Sequence, residues 1–334
     1  GGGKTPVSAP SASTRLPAGV ELGVASAAGE AGARLMVILR APGCAFARRT
    51  GGCTNCGFWQ HLTSDGAPIT KTELVAQLAH ALDLHREALP HIGQLDIFCS
   101  GSFLCDAEVP PQAREPLLAL AARELPTLRA VMIESRPEYI TPEAMAPLVA
   151  ALPAPVLLEV GIGLESADPV IREQRIKKGF TLQDFAAAAT VLADAGAGLA
   201  VYLLLKPLGT GDEEAVEDVL ASGRYLAGLA HDLNMPLRVA LEPTFVPEET
   251  PLYDEMKQGR YTPPSLWDVL HVTRELASLG LPIHVGLSSE GLPTEQVPSG
   301  CPECTDELRA ALAAFNETQA CSALEGLRCP CQNA

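Results

Sequence analysis

The sequence predicts an α/β fold: an open, partial (β/α)6 TIM-type barrel followed by a small cysteine-rich C-terminal extension. Three observations predict it. Short β-rich apolar runs alternate with longer stretches of helical spacing, the signature of βαβ units and a parallel sheet. The 334 residues are 47% hydrophobic and 19% charged, enough to bury a sizeable core. Cys301, Cys304, Cys321, Cys329 and Cys331, half of the ten cysteines, crowd together at the end.

Residues 1–33 are rich in Ser, Ala and Pro and read as a flexible leader. They lack the apolar stretch of a secretory signal. The barrel is expected over 34–290 and a metal-binding tail over 291–334. Strands are expected at 34–41, 95–99, 130–134, 156–162, 199–205 and 237–241, with an extra strand at 283–287. Helices are expected at 71–84, 113–124, 142–151, 182–195, 213–230 and 265–279. Thr70 or Thr72, Thr141 before Pro142, and Thr181 are candidate N-caps, while Gly196 and Gly280 sit where helices should stop. In parallel α/β folds the loops after the strands build the site. That rule singles out 42–57, 100–108, 135–139, 163–166, 206–211 and 243–250.

The balance of 24 basic against 40 acidic residues gives −16, which disfavours phosphate backbones as partners and favours a small-molecule substrate. The most apolar stretch, 186–205, is interrupted by Asp194, Gly196 and Gly198, so no membrane partner is expected. The expected location is cytoplasmic.

Cys44, Cys53 and Cys56 are spaced C-x8-C-x2-C directly after the first expected strand. Three thiolates cannot saturate a four-iron cluster, so one iron is left open for a chelating ligand. Glycines between them let backbone wrap closely around such a group. The alternative is a three-ligand zinc site. In the tail, Cys301-Pro-Glu-Cys304 and Cys329-Pro-Cys331 offer four soft ligands, suited to zinc or a second iron–sulfur cluster. Cys321 is a fifth ligand or a helix cysteine.

The cysteine loop with GGCTNCGF resembles the radical S-adenosylmethionine (SAM) superfamily. In detail the chain resembles the archaeosine-biosynthesis radical SAM enzymes (RaSEA), and more distantly the elongator catalytic subunit. The resemblance extends through CSGSFLCDAEVP, ESRPEYIT, EVGIGLES, RIKKGFT, LLLKPLGTGDEEAVED, YTPPSLWDV and the cysteine-bearing tail. It implies a 4Fe–4S cluster on Cys44, Cys53 and Cys56, SAM as cofactor, and an electron donor such as flavodoxin or ferredoxin. It assigns Ser100, Gly101 and Ser102 to a turn that bonds the methionine amine. Glu134 and Arg136 fall where ribose hydroxyls or the methionine carboxylate would be held. Glu165 and Ser166 point toward SAM or substrate, Lys206 toward a carboxylate, and Cys105 and Lys178 toward substrate. Arg48 and Arg49 offer cations beside the cluster, and Phe58 and Trp59 a surface for adenine.

Cys99 and Cys105 stand where that family usually carries Thr or Ser and Asp, and 241–250 lacks the Asn and Gln character of the archaeal stretch. The archaeal enzymes work with a partner on a lysine-modified deazaguanine base in tRNA. The departures and the charge favour reductive cleavage of SAM that starts radical chemistry on a small molecule, in a bacterial specialised biosynthetic pathway. The alternatives are a RaSEA-type tRNA-modifying lyase and transfer of a 3-amino-3-carboxypropyl group from SAM. A non-enzymatic zinc protein is the least favoured reading.

Overall fold

Strands and helices alternate along the chain as expected, and a computed structural model describes residues 13–27, 30–57, 62–63 and 66–333. One sheet carries eight strands in sequence order: β1 (Gly19–Ala27), β2 (Glu30–Ile38), β3 (Ile92–Phe98), β4 (Ala130–Glu134), β5 (Leu157–Glu165), β6 (Gly198–Leu205), β7 (Leu237–Pro243) and β8 (Ile283–Val285). The strands from β2 to β8 are parallel, and β1 pairs antiparallel with β2. The result is the open partial barrel the sequence predicts, with the extra strand as β8.

The helices follow their sequence signals. α1 (Ala45–Thr50) lies inside the cysteine loop. α2 (Lys71–Leu84) opens with a capping box in which Thr70 and Glu73 satisfy each other's backbone N–H groups; Thr72 takes no part. α3 (Pro111–Glu124) and α4 (Pro142–Ala151) both place Pro at the first turn, and Thr141 caps the latter. α5 (Leu182–Asp194) repeats the capping box with Thr181 and Asp184. α6 (Asp212–Leu233), α7 (Pro251–Lys257), α8 (Leu266–Ser278) and α9 (Thr305–Thr318) complete the set. Gly196 and Gly280 take left-handed backbone after α5 and α8, as helix stops require.

One strand face is apolar and packs under the helices: Leu35, Val37, Leu95, Ile97, Val131, Ile133, Val160, Leu199, Val201, Val239 and Leu241 are fully buried there. The other face lines the inside of the barrel and is polar, carrying Arg34, Asp96, Glu134, Glu159, Tyr202, Arg238, Glu242 and His284 at alternate positions. Side chains alternate across a strand, so the same register sets both faces.

Part of the segment read as a leader, 1–33, forms β1. Its signal is diluted by Gly, Ala and Ser, and only Val20, Leu22 and Val24 alternate; Val20 packs against the core while Leu22 and Val24 stay exposed. The far edge of the sheet is closed by α9. Asn316 accepts from Val285 N (2.8 Å) and donates to Val285 O (2.9 Å), while Gln319 does the same for Ile283 (2.9 and 2.7 Å). Two side-chain amides thus stand in for a ninth strand and leave no edge there for another chain to pair with. Among the described residues no helix is long and apolar enough to cross a membrane.

Removing the Asn316 amide strands a buried N–H and a carbonyl of β8. Asn316→Ala is therefore expected to lose about 1–3 kcal/mol, read as a lower Tm in thermal unfolding; an unchanged Tm contradicts the edge-closing role.

Candidate functional site

The cysteine loop leaves β2 and folds back over the C-terminal ends of the strands. Cys44 becomes the N-cap of α1, its Sγ accepting from Ala47 N at 3.4 Å. Gly43, Gly51 and Gly52 all have positive φ (80, 91 and 83°), conformations that a side chain would strain. Beyond Cys53 the loop is stitched to the segment after β5: Thr54 N donates to Ile176 O (3.0 Å) and Thr54 Oγ1 to Arg175 O (2.8 Å).

Cys44, Cys53 and Cys56 are all partly accessible. Among the described residues they do not form a set of ligand atoms within 4.8 Å of one another, which only the tail cysteines do. A single zinc ion with Zn–S of about 2.3 Å would gather its sulfurs within about 4 Å. Three thiolates on one loop can bind three irons of a cluster and leave the fourth open to a chelating ligand. The donor set fits a 4Fe–4S group.

A buried carboxylate joins this loop to the turn after β3. Glu108, 1% exposed, accepts from Ala45 N through Oε1 (2.8 Å) and from Ser102 N through Oε2. Gly101 leaves the space it occupies, since a Cβ there would run into the carboxylate and approach Cys44 Cα. Burial pushes the Glu108 carboxyl up, while the two backbone N–H groups and the Cys105 thiol pull it back. Cys105 is consequently turned inward: it is 4% exposed and bonds Glu108 and Tyr139, so it supports the turn instead of facing the mouth. Cys99, 1% exposed, is a small buried residue as expected.

The turn reaches the next strand end through Ser102, whose Oγ accepts from Arg136 N (3.0 Å), and through Phe103 N, which donates to Glu134 O (2.8 Å). Glu134 accepts from Tyr202 Oη (2.6 Å), and burial raises its carboxyl to about 7. The Arg136 guanidinium stacks 3.8 Å over the Phe46 ring of α1 and pairs with Glu138 at 2.6 Å. Glu165 pairs with Lys178 at 3.2 Å, in space that Gly163 provides: a Cβ there would come within 2.7 Å of one and 2.8 Å of the other. Burial lowers the Lys178 ammonium, but Glu165 and then Cys53 outweigh it, and the net shift is upward.

Ser166 differs from expectation. Its Oγ donates to Asp218 Oδ1 of α6 (2.5 Å) and accepts from Asp168 N, which fixes it beneath the mouth. Lys206 is engaged as well, by Asp212 at 2.6 Å and Thr262 at 3.1 Å beside the Tyr261 ring. Its partner Asp212 is itself exposed at the start of α6. Ser100, Glu165 and Lys206 all have positive φ (54, 65 and 64°). Such backbone is rare outside glycine and concentrates at functional sites.

Phe58 and Trp59 lie outside the described residues. Tyr202 was not singled out from sequence, and Glu108 and Gly163 fell inside the singled-out segments 100–108 and 163–166 without a role of their own. Only Glu108 carried a signal, as the last acid of CSGSFLCDAE before a proline-led helix. Arg172, 1% exposed, was missed too; it bonds the carbonyls of Ser166, Ala167 and Phe180 and so holds the loop that carries Lys178.

In the tail, Cys301, Cys304, Cys329 and Cys331 bring four sulfurs within 4.8 Å, with contacts of 3.4 Å (301–329), 3.6 Å (301–304) and 3.7 Å (304–331). This set can hold one metal ion. Hydrogen bonding from Cys329 lowers the Cys301 thiol, while the Cys304 and Cys329 thiols are raised.

No family model matches the chain. It is 32% identical over 298 residues to the archaeosine synthase subunit beta of Methanosarcina acetivorans, covering 89% of this chain and 82% of that protein. The chain belongs to the archaeosine synthase subunit beta family. Its fold is that of radical SAM enzymes. A radical SAM methyltransferase from Sphaerobacter thermophilus aligns with TM-score 0.51 at 18% identity, over 78% of this chain and 71% of that one. The archaeal Methanocaldococcus infernus Elp3 aligns with TM-score 0.50 at 17% identity, over 76% of this chain and 59% of that one.

If Glu108 couples cluster loop and turn, Glu108→Ala exposes two buried N–H groups without an acceptor. The expected outcome is a lower Tm together with less iron bound after anaerobic reconstitution. Full iron content and an unchanged Tm would show that the two segments hold their places independently.

Proposed function

We propose that this member of the archaeosine synthase subunit beta family is a radical SAM lyase acting on a lysine-modified deazaguanine base in tRNA. Membership of that family, at 32% identity over 89% of the chain, is the observation that carries this reading. It reverses the preference for a small molecule that the departures at Cys99, Cys105 and 241–250 and the net charge suggested. A local feature supports the reversal: Arg48 and Arg49 of α1 and Lys177 of the adjoining loop are exposed beside the cysteine loop. A cationic rim on an acidic protein is where a phosphate backbone would be received.

Cys44, Cys53 and Cys56 would hold the 4Fe–4S cluster. When bound, that group supplies the electron that breaks a C–S bond of SAM. The turn at Ser100–Gly101–Ser102 would receive the methionine amine, with Gly101 allowing close backbone approach. Glu134, oriented by Tyr202, would bond ribose hydroxyls. Arg136, held flat against Phe46, would meet the methionine carboxylate. Glu165 and Lys178 would close the substrate side of the mouth. Flavodoxin or ferredoxin is the proposed electron donor. The tail cysteines would hold zinc, since sulfurs about 3.8 Å apart are what a tetrahedral ion with Zn–S of about 2.3 Å requires.

Three outcomes are expected of anaerobically reconstituted protein given reductant, SAM and tRNA bearing the lysine-modified base. The wild type forms 5′-deoxyadenosine and alters the base, and Cys53→Ala forms none above background. 5′-Deoxyadenosine with unaltered tRNA would return the small-molecule reading to the lead, and 5′-methylthioadenosine would indicate aminocarboxypropyl transfer. Metal analysis should find about four iron and one zinc per chain, with zinc lost and iron kept in Cys329→Ser. About eight iron would instead make the tail a second cluster.

A further inference from the structure

The inner face of the barrel holds more acid than base. Asp96 is paired with Arg34, Glu159 with Arg238 (2.8 Å), and Glu165 with Lys178 (3.2 Å). His284 adds no positive charge, because burial and the nearby Arg34 and Arg238 push it down to about 4. Among the described residues, the neutral Tyr202 hydroxyl is the hydrogen-bond donor to Glu134. Glu242 has no hydrogen bond or ion pair among the described residues. It stands near the top of β7, opposite Leu204 of β6, with Gly286 beyond the end of β8. A Cβ on Gly286 would collide with the Glu242 carboxylate, so the glycine makes the space that the carboxylate fills. The residue is half-buried, within the barrel yet still reached by solvent from the open mouth.

The groups that face it are unhelpful to an anion. Glu165 from β5, Glu134 from β4 and Glu290 from the loop after β8 repel it, Tyr202 of β6 lies nearby, and the attraction of Arg34 of β2 is already committed to Asp96. An unpaired carboxylate in such a place is costly unless something arrives to pair with it. We infer that Glu242 is a substrate-binding residue that receives a protonated amine of the substrate inside the barrel. This rests on the tRNA-lyase reading, whose lysine-modified base carries such an amine. Its meaning for specificity is direct: a neutral isostere of the amine would forgo the ion pair with Glu242 and bind more weakly.

The test compares wild type, Glu242→Gln and Glu242→Asp in two measurements. In the first, base conversion and 5′-deoxyadenosine are followed together. Glu242→Gln should raise KM for the modified tRNA and lower product formed per SAM cleaved at least tenfold, with Glu242→Asp recovering part of the loss. Equal ratios in wild type and Glu242→Gln would overturn the proposal. In the second, Tm is followed without substrate. Burial raises the folded carboxyl to about 8 from 4.5, so the protonated form supports the fold at low pH and that support is lost as pH rises toward 8. Glu242→Gln, neutral throughout, should gain Tm relative to wild type by several degrees as pH rises from about 5 to 9. A variant less stable at every pH would mark Glu242 as a structural residue and overturn the proposal. A wild type that cleaves SAM but leaves the tRNA unaltered removes the tRNA reading, and the Tm comparison then decides whether Glu242 awaits a cation.

Discussion

The Glu108 carboxylate is the constraint on which the mouth of the barrel depends. One oxygen holds the first N–H of α1, which follows Cys44, and the other holds the turn at Ser102. From Ser102 the chain of bonds continues to Arg136 and Glu134, and from α1 it continues through the Phe46 ring to the Arg136 guanidinium. Three strand ends are thereby tied to one buried group. A buried carboxylate with two backbone donors is satisfied, and it loses that satisfaction if either segment moves. The cluster loop and the turn proposed for SAM therefore share one register.

Beneath the mouth, the sheet separates two kinds of surroundings. Its outward residues are aliphatic and seal the helices onto the barrel; among its inward residues Arg34 of β2 pairs with Asp96 of the neighbouring β3, and Arg238 of β7 reaches across β6 to Glu159 of β5. Parallel sheets are usually apolar on both faces. Here an open barrel needs a wettable interior, and glycines at 161, 163 and 286 clear room among the charges. The open edge after β8 would be a liability, and α9 removes it with two amide side chains. The tail cysteines begin immediately before α9, so the proposed zinc would also fix the helix that closes the edge.

Much of the fold was legible because its signals are local. Thr70, Thr141 and Thr181 announce helix starts, Gly196 and Gly280 announce stops, and α2 spans 71–84 as its spacing predicts. The cysteine spacings and the glycine turn carried the cofactor reading, and the structure brings them to the same strand ends. What escaped was long-range. Glu108 is six residues from Ser102 but must also meet Ala45, and nothing in composition marks such a meeting. Cys105 looked available because it follows a loop; its burial depends on Tyr139 and Glu108. Lys206 follows an apolar strand, yet it pairs with Asp212 at the start of α6. The polar interior was written in the strands as a period-two alternation, Gln94–Asp96 and Glu159–Gly161–Gly163 among them, masked by how short each run is.

That Cys44, Cys53 and Cys56 and the turn at Ser100–Ser102 form a single cofactor site is the central claim. The most direct measurement is electron–nuclear double resonance on the anaerobically reconstituted, reduced protein with SAM labelled at its amino nitrogen and carboxyl carbon. Hyperfine coupling to both labels, present in wild type and absent when the labelled SAM is replaced by unlabelled, is the expected result. SAM that binds without coupling to either label would place it away from the cluster and contradict the shared site.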